Sequence, residues 1–310
     1  LTTIGLGTWA MGGGDWKFGW GPQDDMASVK AIHTALDLGI NWIDTAAIYG
    51  HGHAEEVVGR AIKGIRDEVI IATKCGRVWE GNSREIGKSL RAESIKREVE
   101  ASLKRLDVET IDLYQIHWPE PDEEIEEGWA AMAQLVKEGK VRYVGVSNFN
   151  LDQLMRAQAI HPITSLQPPY SMFRREIEEE IVAYCHKNQI GIIAYSPMQA
   201  GLLTGKFTRE RALSLPDSDW RSRHPFFTEP QIDINLETID RLNQIAIQEN
   251  VSLSQLSLAW VLRNKEMTSA IVGARNPEQI QETAKASELT LTRANIEAIE
   301  EILEWRIKNI

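Results

Sequence analysis

Residues 111–118 read Ile-Asp-Leu-Tyr-Gln-Ile-His-Trp, a short apolar run that reads as a strand and closes on a histidine. Packing a strand beneath helices requires no histidine at its end, so His117 points to chemistry rather than to the core. Seven other runs are built alike: Thr3–Thr8, Ile40–Thr45, Val69–Lys74, Val141–Asn148, Thr164–Gln167, Gly191–Ser196 and Thr268–Gly273. Most polar residues in these runs sit at the C-terminal ends: Asp44, Lys74, His117, Ser147 with Asn148, Gln167, and Tyr195 with Ser196.

Helical patterns lie between the runs. Ala92–Leu106 puts Ile95, Val99, Leu103 and Leu106 on one helical face. Glu124–Lys137 and Glu176–Lys187 read the same way. Strand–helix alternation implies a parallel sheet with helices outside, and eight repeats are the number that closes a barrel. The expected fold is therefore α/β, a (β/α)8 TIM barrel, as one domain over residues 1–310. The intervals agree: 30 residues from Asp44 to Lys74, 43 to His117, 30 to Ser147, 20 to Gln167 and 28 to Tyr195. The next interval, 78 residues to Gly273, is too long for one unit. It holds an irregular segment over about 199–235, then helical patterns at Leu236–Gln248 and Leu253–Asn264. A long loop in a compact domain reads as a lid or binding loop.

Composition narrows the function. With 310 residues and 43% hydrophobic content the chain can fill a large core. Its net charge of −11 does not attract polyphosphate backbones, so no nucleic-acid partner is expected. Cys75 and Cys185 have no metal-site spacing, and no metal is expected. No run approaches the ~20 apolar residues of a membrane helix, and no signal peptide is visible. A cytoplasmic setting is the simple expectation, without a membrane partner. The chain starts at Leu1 without an initiator Met, so a short preceding piece is compatible with it.

Taken singly, the polar residues at the strand ends have bland readings. Asp44 could cap a helix, Tyr49 could be a packed aromatic, Lys74 a surface lysine and His117 a structural histidine. Their recurrence on successive strands favours a site, because barrels of this type gather their active sites at that end.

Several ordered motifs resemble the aldo-keto reductase superfamily: Gly-Leu-Gly-Thr-Trp (5–9), Ile-Asp-Thr-Ala-x-x-Tyr-Gly (43–50), Ala-Thr-Lys (72–74), Ile-Asp-Leu-Tyr-Gln-Ile-His (111–117) and Gly-Val-Ser-Asn-Phe (145–149). Gln-Pro-Pro-Tyr (167–170), Tyr-Ser-Pro-Met (195–198), Gly-Leu-Leu-Thr-Gly-Lys (201–206) and Gly-Ala-Arg-Asn-Pro-Glu-Gln (273–279) extend the resemblance to about residue 286. His117-Trp118-Pro119 and Gln167-Pro168-Pro169-Tyr170 are most similar to the bacterial branch of general-purpose and sugar-aldehyde reductases. The resemblance implies a catalytic tetrad of Asp44, Tyr49, Lys74 and His117 and the NADPH-dependent reduction of a carbonyl. Hydride addition leaves an alkoxide that must be protonated as it forms. Tyr49 would give that proton, Lys74 would lower its pKa, Asp44 would hold Lys74, and His117 would polarise the carbonyl.

No Gly-x-Gly-x-x-Gly opens a helix after a strand, and Gly12-Gly13-Gly14 leads into a tryptophan-rich stretch read as a flexible loop over the pocket. The resemblance instead implies NADPH (NADP+) held by Ser147, Asn148 and Gln167 at the carboxamide and by Tyr195 stacked on the nicotinamide. Ser196, Pro197, Met198, Ala200, Gly201 and Lys206 would follow the pyrophosphate, with Thr8, Trp9 and Asp44 beside them. Gly273, Arg275, Gln279, Glu282 and Thr283 would lie at the adenosine end, where Gly273, Gln279 and Thr283 depart from a common Lys, Arg and Asn. Arg275 and a loop arginine (Arg221 or Arg223) could replace the lost charge on a 2′-phosphate.

Ten tryptophans are unusually many. Trp9, Trp16, Trp20, Trp79, Trp118 and Trp220 fall in or beside loops at the catalytic end, where aromatics can wall a small ligand. Tyr49, Trp79, His117 and Trp118 are the substrate candidates. Trp129, Trp260 and Trp305 read as helix packing, and Asp15, Lys17, Asp24 and Asp25 as solvated loop charges. The partner expected is a small carbonyl compound, with a monomer compatible and the oligomeric state open. A cofactor-binding regulatory subunit like the β-subunits of potassium channels shares this fold and stands as the alternative. A metal-dependent barrel hydrolase lacks a clustered ligand set, although His51 and His53 lie close in sequence.

Overall fold

The computed structural model describes residues 1–310 except Asp15, Lys17, Asn82, Arg84, Asp217 and Ser218, so the expectation for Asp15 and Lys17 lies outside the described residues. Eight parallel strands close a barrel: Ile4–Gly7, Trp42–Asp44, Ile70–Cys75, Ile111–Ile116, Val141–Ser147, Ser165–Gln167, Gly191–Ala194 and Met267–Gly273. They follow one another in chain order, and the last pairs with the first through Ile4 and Ala270. Each lies within an apolar run of the sequence, apart from a residue at the ends.

The two-residue period of a strand explains what the barrel contains. In Ile70–Cys75, Ala72 packs with Trp42, Leu113, Ile193 and Ile271. Thr73 turns outward and donates to Glu55 of helix His53–Ala61 at 2.5 Å. Lys74 shares the parity of Ala72 and so enters the barrel at its C-terminal end. Gly5 makes room for the Trp42 indole, since a Cβ there would lie 2.0 Å from its Cε2.

Helix Ala92–Leu106 has the expected bounds. The pattern at Glu176–Lys187 divides into a 3-10 turn, Glu176–Glu178, and a helix, Ile181–Lys187. The segment expected to be irregular over about 199–235 differs more. It contains short helical turns at Gln199–Thr204, Arg209–Leu213, Trp220–Arg223 and Pro225–Phe227, and the following helix begins at Gln231 rather than Leu236. Buried Ile232 and Asn235, whose Nδ2 donates to Phe226 O at 2.8 Å, fix that extra turn.

A hairpin, Arg77–Val78 with Gly87–Lys88, stands outside the barrel. Trp129 and Trp260 are buried, and Trp305 lies half-buried under the Arg241 guanidinium. Asp24 and Asp25 are not merely solvated. Asp24 caps helix Asp25–Asp37 by accepting from Ala27 N, and Asp25 pairs with Arg60 and His53. No helix among the described residues is long and apolar enough to cross a membrane.

Candidate active site

The strand ends bring Asp44, Lys74, Tyr49 and His117 together at one mouth of the barrel. Lys74 Nζ donates to Asp44 Oδ1 at 2.6 Å, to Thr45 O at 2.8 Å and to the Tyr49 hydroxyl at 3.3 Å. Three acceptors match the three donors of an ammonium. The other Asp44 oxygen accepts from Gln167 Nε2 at 2.8 Å. Asp44 and Lys74 are only 3% and 1% exposed. The His117 ring meets the Tyr49 ring edge-on, with centroids 5.8 Å apart.

Burial governs the electrostatics. It pushes the Tyr49 phenol well above its ordinary range, and the Asp44 carboxylate adds to that effect. Lys74, expected from the sequence to lower this pKa, does not bring it down: burial and then the Asp44 carboxylate set the direction. A raised phenol keeps its proton at neutral pH, the form a proton donor needs. Burial lowers Lys74 against the pull of Asp44. Burial, then Lys74 and Arg77, hold His117 well below its usual range, so its imidazole is neutral.

The residues expected at the carboxamide form one hydrogen-bonded set. Ser147 Oγ donates to Gln167 O at 2.8 Å, and Asn148 Nδ2 donates to His117 O at 3.0 Å and to Ser147 Oγ at 3.0 Å. Tyr195 donates its hydroxyl to Asn148 Oδ1 at 2.8 Å, which fixes its ring at the rim. Asn148, Ser196, Gln199, Ala200 and Gly201 all have left-handed backbone, at φ 63°, 52°, 48°, 52° and 90°. Within this stretch Gln199 N donates to Ser196 O at 2.9 Å, and Gly201 N and Leu203 N both donate to Met198 O at 3.1 Å, so these amides close the turn on itself. Thr8 Oγ1 and Thr45 Oγ1 are buried without a partner among the described residues. The amide side chains of Asn148 and Gln167, the tight turn at 196–201 and the Tyr195 ring fit a nicotinamide dinucleotide.

The expected cations are largely engaged. Lys206 pairs with Glu282 at 3.0 Å. Arg275 Nε donates to Gln23 Oε1 at 2.7 Å and Nη2 to Pro22 O, while Arg275 N donates to Gln279 Oε1 at 2.7 Å. Arg223 is exposed, as is Gly273, and Thr283 is buried with its hydroxyl on Gln279 O. Arg221 is buried; its guanidinium donates to both Asp219 carboxylate oxygens and, at 3.3 Å, to Ala200 O. It therefore braces the turn at Ala200; the Asp219–x–Arg221 spacing is the signal that could have shown this.

Aromatic rings cover the tetrad. Trp9 stacks on Tyr49 at 5.9 Å and 11°, and Trp16 lies 5.9 Å from the same ring. Trp20 and Trp220 flank Trp9 at 6.3 and 6.5 Å. Gly12, read from sequence as part of a flexible loop, is packed on the Tyr49–Gly50 backbone. Gly50 has φ +63°, and a Cβ there would come within 2.1 Å of Gly12 O. Trp79 packs on His51 at 5.4 Å, and Trp118 lies exposed beneath Arg77. His53 bonds Asp25, so His51 and His53 face different partners.

The chain as a whole matches known proteins in sequence and in fold. The profile described as the aldo/keto reductase family matches residues 3–304. Aldo-keto reductase YhdN of Bacillus subtilis is 40% identical over 309 residues, covering 99% of this chain and 91% of that protein. The NADH-specific methylglyoxal reductase of Escherichia coli is 34% identical over 317 residues, covering 98% and 95%. The solved glycerol dehydrogenase of Gluconobacter oxydans superposes with a TM-score of 0.91 at 38% identity, over 100% of this chain and 94% of that one.

Proposed function

The chain belongs to the aldo/keto reductase family, and on that premise we propose that it reduces small aldehydes or ketones to alcohols with NADPH, using Tyr49 as proton donor. The observation that carries this reading is the contact of Lys74 Nζ with both Asp44 (2.6 Å) and Tyr49 (3.3 Å) in a buried site under an aromatic cover. The relatives named for methylglyoxal and glycerol point the substrate class towards small oxygenated carbonyls.

When bound, the nicotinamide supplies the hydride. Tyr49, kept protonated by burial, gives its proton to the carbonyl oxygen as charge develops there. Neutral His117 donates a hydrogen bond to the same oxygen and orients it. Lys74 holds the Tyr49 hydroxyl, and Asp44 holds Lys74. Trp9 and Trp16 cover Tyr49 and exclude water, with Trp79 and the exposed Trp118 as further contacts for the substrate.

Ser147, Asn148 and Gln167 would hold the carboxamide, with Tyr195 against the ring. The backbone from Ser196 to Gly201 would receive the pyrophosphate. Lys206 and Arg223 are the cations for a 2′-phosphate, with Glu282 near the adenine, while the Arg275 guanidinium is taken up by Gln23 and Pro22. NADPH is the cofactor this charge favours, although the Escherichia coli relative is named as NADH-specific.

The test is a panel of small aldehydes, ketones and aldoses, followed by cofactor absorbance with NADPH and NADH in parallel. The reading expects turnover of at least one carbonyl, with a higher kcat/KM for NADPH. No turnover with either cofactor overturns the activity, and preference for NADH overturns the cofactor assignment.

A further inference from the structure

We propose that Arg275 is a positioning residue for the substrate pocket: by tying down the chain at Pro22 and Gln23 it holds the tryptophan wall over Tyr49. This inference rests on the carbonyl-reductase reading.

The anchor has three bonds. Arg275 Nε donates to Gln23 Oε1 at 2.7 Å, Nη2 donates to Pro22 O, and Gln23 Nε2 returns a bond to Arg275 O at 2.9 Å. A planar guanidinium presents donors in a fixed fork, so its engagement at two acceptors sets orientation as well as distance. The contact joins residues 252 positions apart, from the turn after the last barrel strand to the stretch entering helix Asp25–Asp37.

The wall begins at the next residues upstream. Gly21, at φ +86°, turns the chain between Pro22 and Trp20. The Trp20 ring lies 6.3 Å from Trp9, and the Arg221 guanidinium sits 4.9 Å above it. Trp9 in turn stacks on Tyr49. Trp20 Nε1 is buried without a hydrogen-bond partner among the described residues. Trp20 is therefore held by ring packing and by its backbone, and the backbone on its C-terminal side is what Arg275 fixes.

The consequence is a separation of kinetic constants. Lys74, Asp44 and Tyr49 keep their own bonds when the anchor is lost, so kcat should persist. The wall would become an ensemble that each substrate must reorder, which lowers apparent affinity by the competent fraction. A side chain serving only the 2′-phosphate would instead change the affinity for NADPH and leave NADH and the carbonyl untouched.

The experiment uses the full chain with Arg275→Lys and Gln23→Ala. Lysine keeps a point charge for phosphate but loses the fork, whereas Gln23→Ala removes the two bonds made through the Gln23 side chain and keeps Arg275 on Pro22 O. For 4-nitrobenzaldehyde, both variants should raise KM about tenfold, the scale of one charge-assisted hydrogen bond, with NADPH and with NADH. Their kcat should stay near wild type, and Kd for NADPH in Arg275→Lys should change little. Acrylamide should quench the tryptophan emission of both ligand-free variants more than that of wild type. Unchanged KM and quenching overturn the anchor, as does weakened NADPH binding with the carbonyl KM intact. If wild type turns over no carbonyl, the reductase reading fails, and unchanged quenching then overturns the anchor on its own.

Discussion

Lys74 Nζ lies 2.6 Å from Asp44 Oδ1 with both residues nearly removed from solvent, so each charge depends on the other. Breaking one side of a buried pair costs about 3–5 kcal/mol because the remaining charge is left uncompensated. Lys74→Met should therefore abolish turnover and also lower stability to denaturant by that amount. Adding Asp44→Asn should restore much of the stability and none of the activity. Full stability in the single variant would show that the pair is not a buried charge pair in solution.

The rate of reduction should be insensitive to pH through the neutral range. Reduction needs Tyr49 protonated, and burial with Asp44 moves its proton loss above the ordinary value of about 10. His117 is held neutral, because burial, Lys74 and Arg77 move its titration well below the usual value of about 6.5. A profile of kcat/KM should thus be flat from about pH 6.5 to 9. An inflection near pH 6.5 that disappears in His117→Asn would contradict the environment assigned to His117.

A second titration lies behind the site. Glu98 accepts from Gly76 N at 2.8 Å, two residues past Lys74, and from Ser94 Oγ at 3.0 Å. Burial outweighs these bonds and raises its pKa to about 7. A carboxyl raised on folding contributes stability that is complete below its unfolded value of about 4.3 and lost as pH rises through the folded value. Relative to Glu98→Gln, wild type should lose up to ~3 kcal/mol of folding free energy between pH 4.5 and 8. Denaturant curves at several pH values measure this, and parallel curves for the two proteins would refute it.

The sequence showed what short-range pattern encodes. Alternation along Val69–Lys74 aims Lys74 into the barrel, and the polar strand ends at Asp44, His117, Ser147 and Gln167 mark the mouth. The hairpin Arg77–Val78 with Gly87–Lys88 escaped because two residues per strand carry no period. The start of the helix at Gln231 was obscured by the polar residues Asp233 and Asn235, which local hydrophobicity reads as loop. The partners of Arg275 lie at Pro22 and Gln23, and no local spacing announces a contact across the length of the chain. The direction of the Tyr49 shift depends on burial, which residue type alone does not give.

Whether Tyr49 delivers the proton is decided by Tyr49→Phe. The variant removes one hydroxyl and leaves Lys74 bonded to Asp44 and to Thr45 O. With the carbonyl that wild type reduces best, kcat measured from NADPH absorbance should fall by about 10²–10⁴-fold, the range for loss of a general acid. NADPH should still quench tryptophan emission with an unchanged Kd. A variant that keeps more than about a tenth of the wild-type kcat would contradict the account, because the loss would then fall well short of that of a general acid.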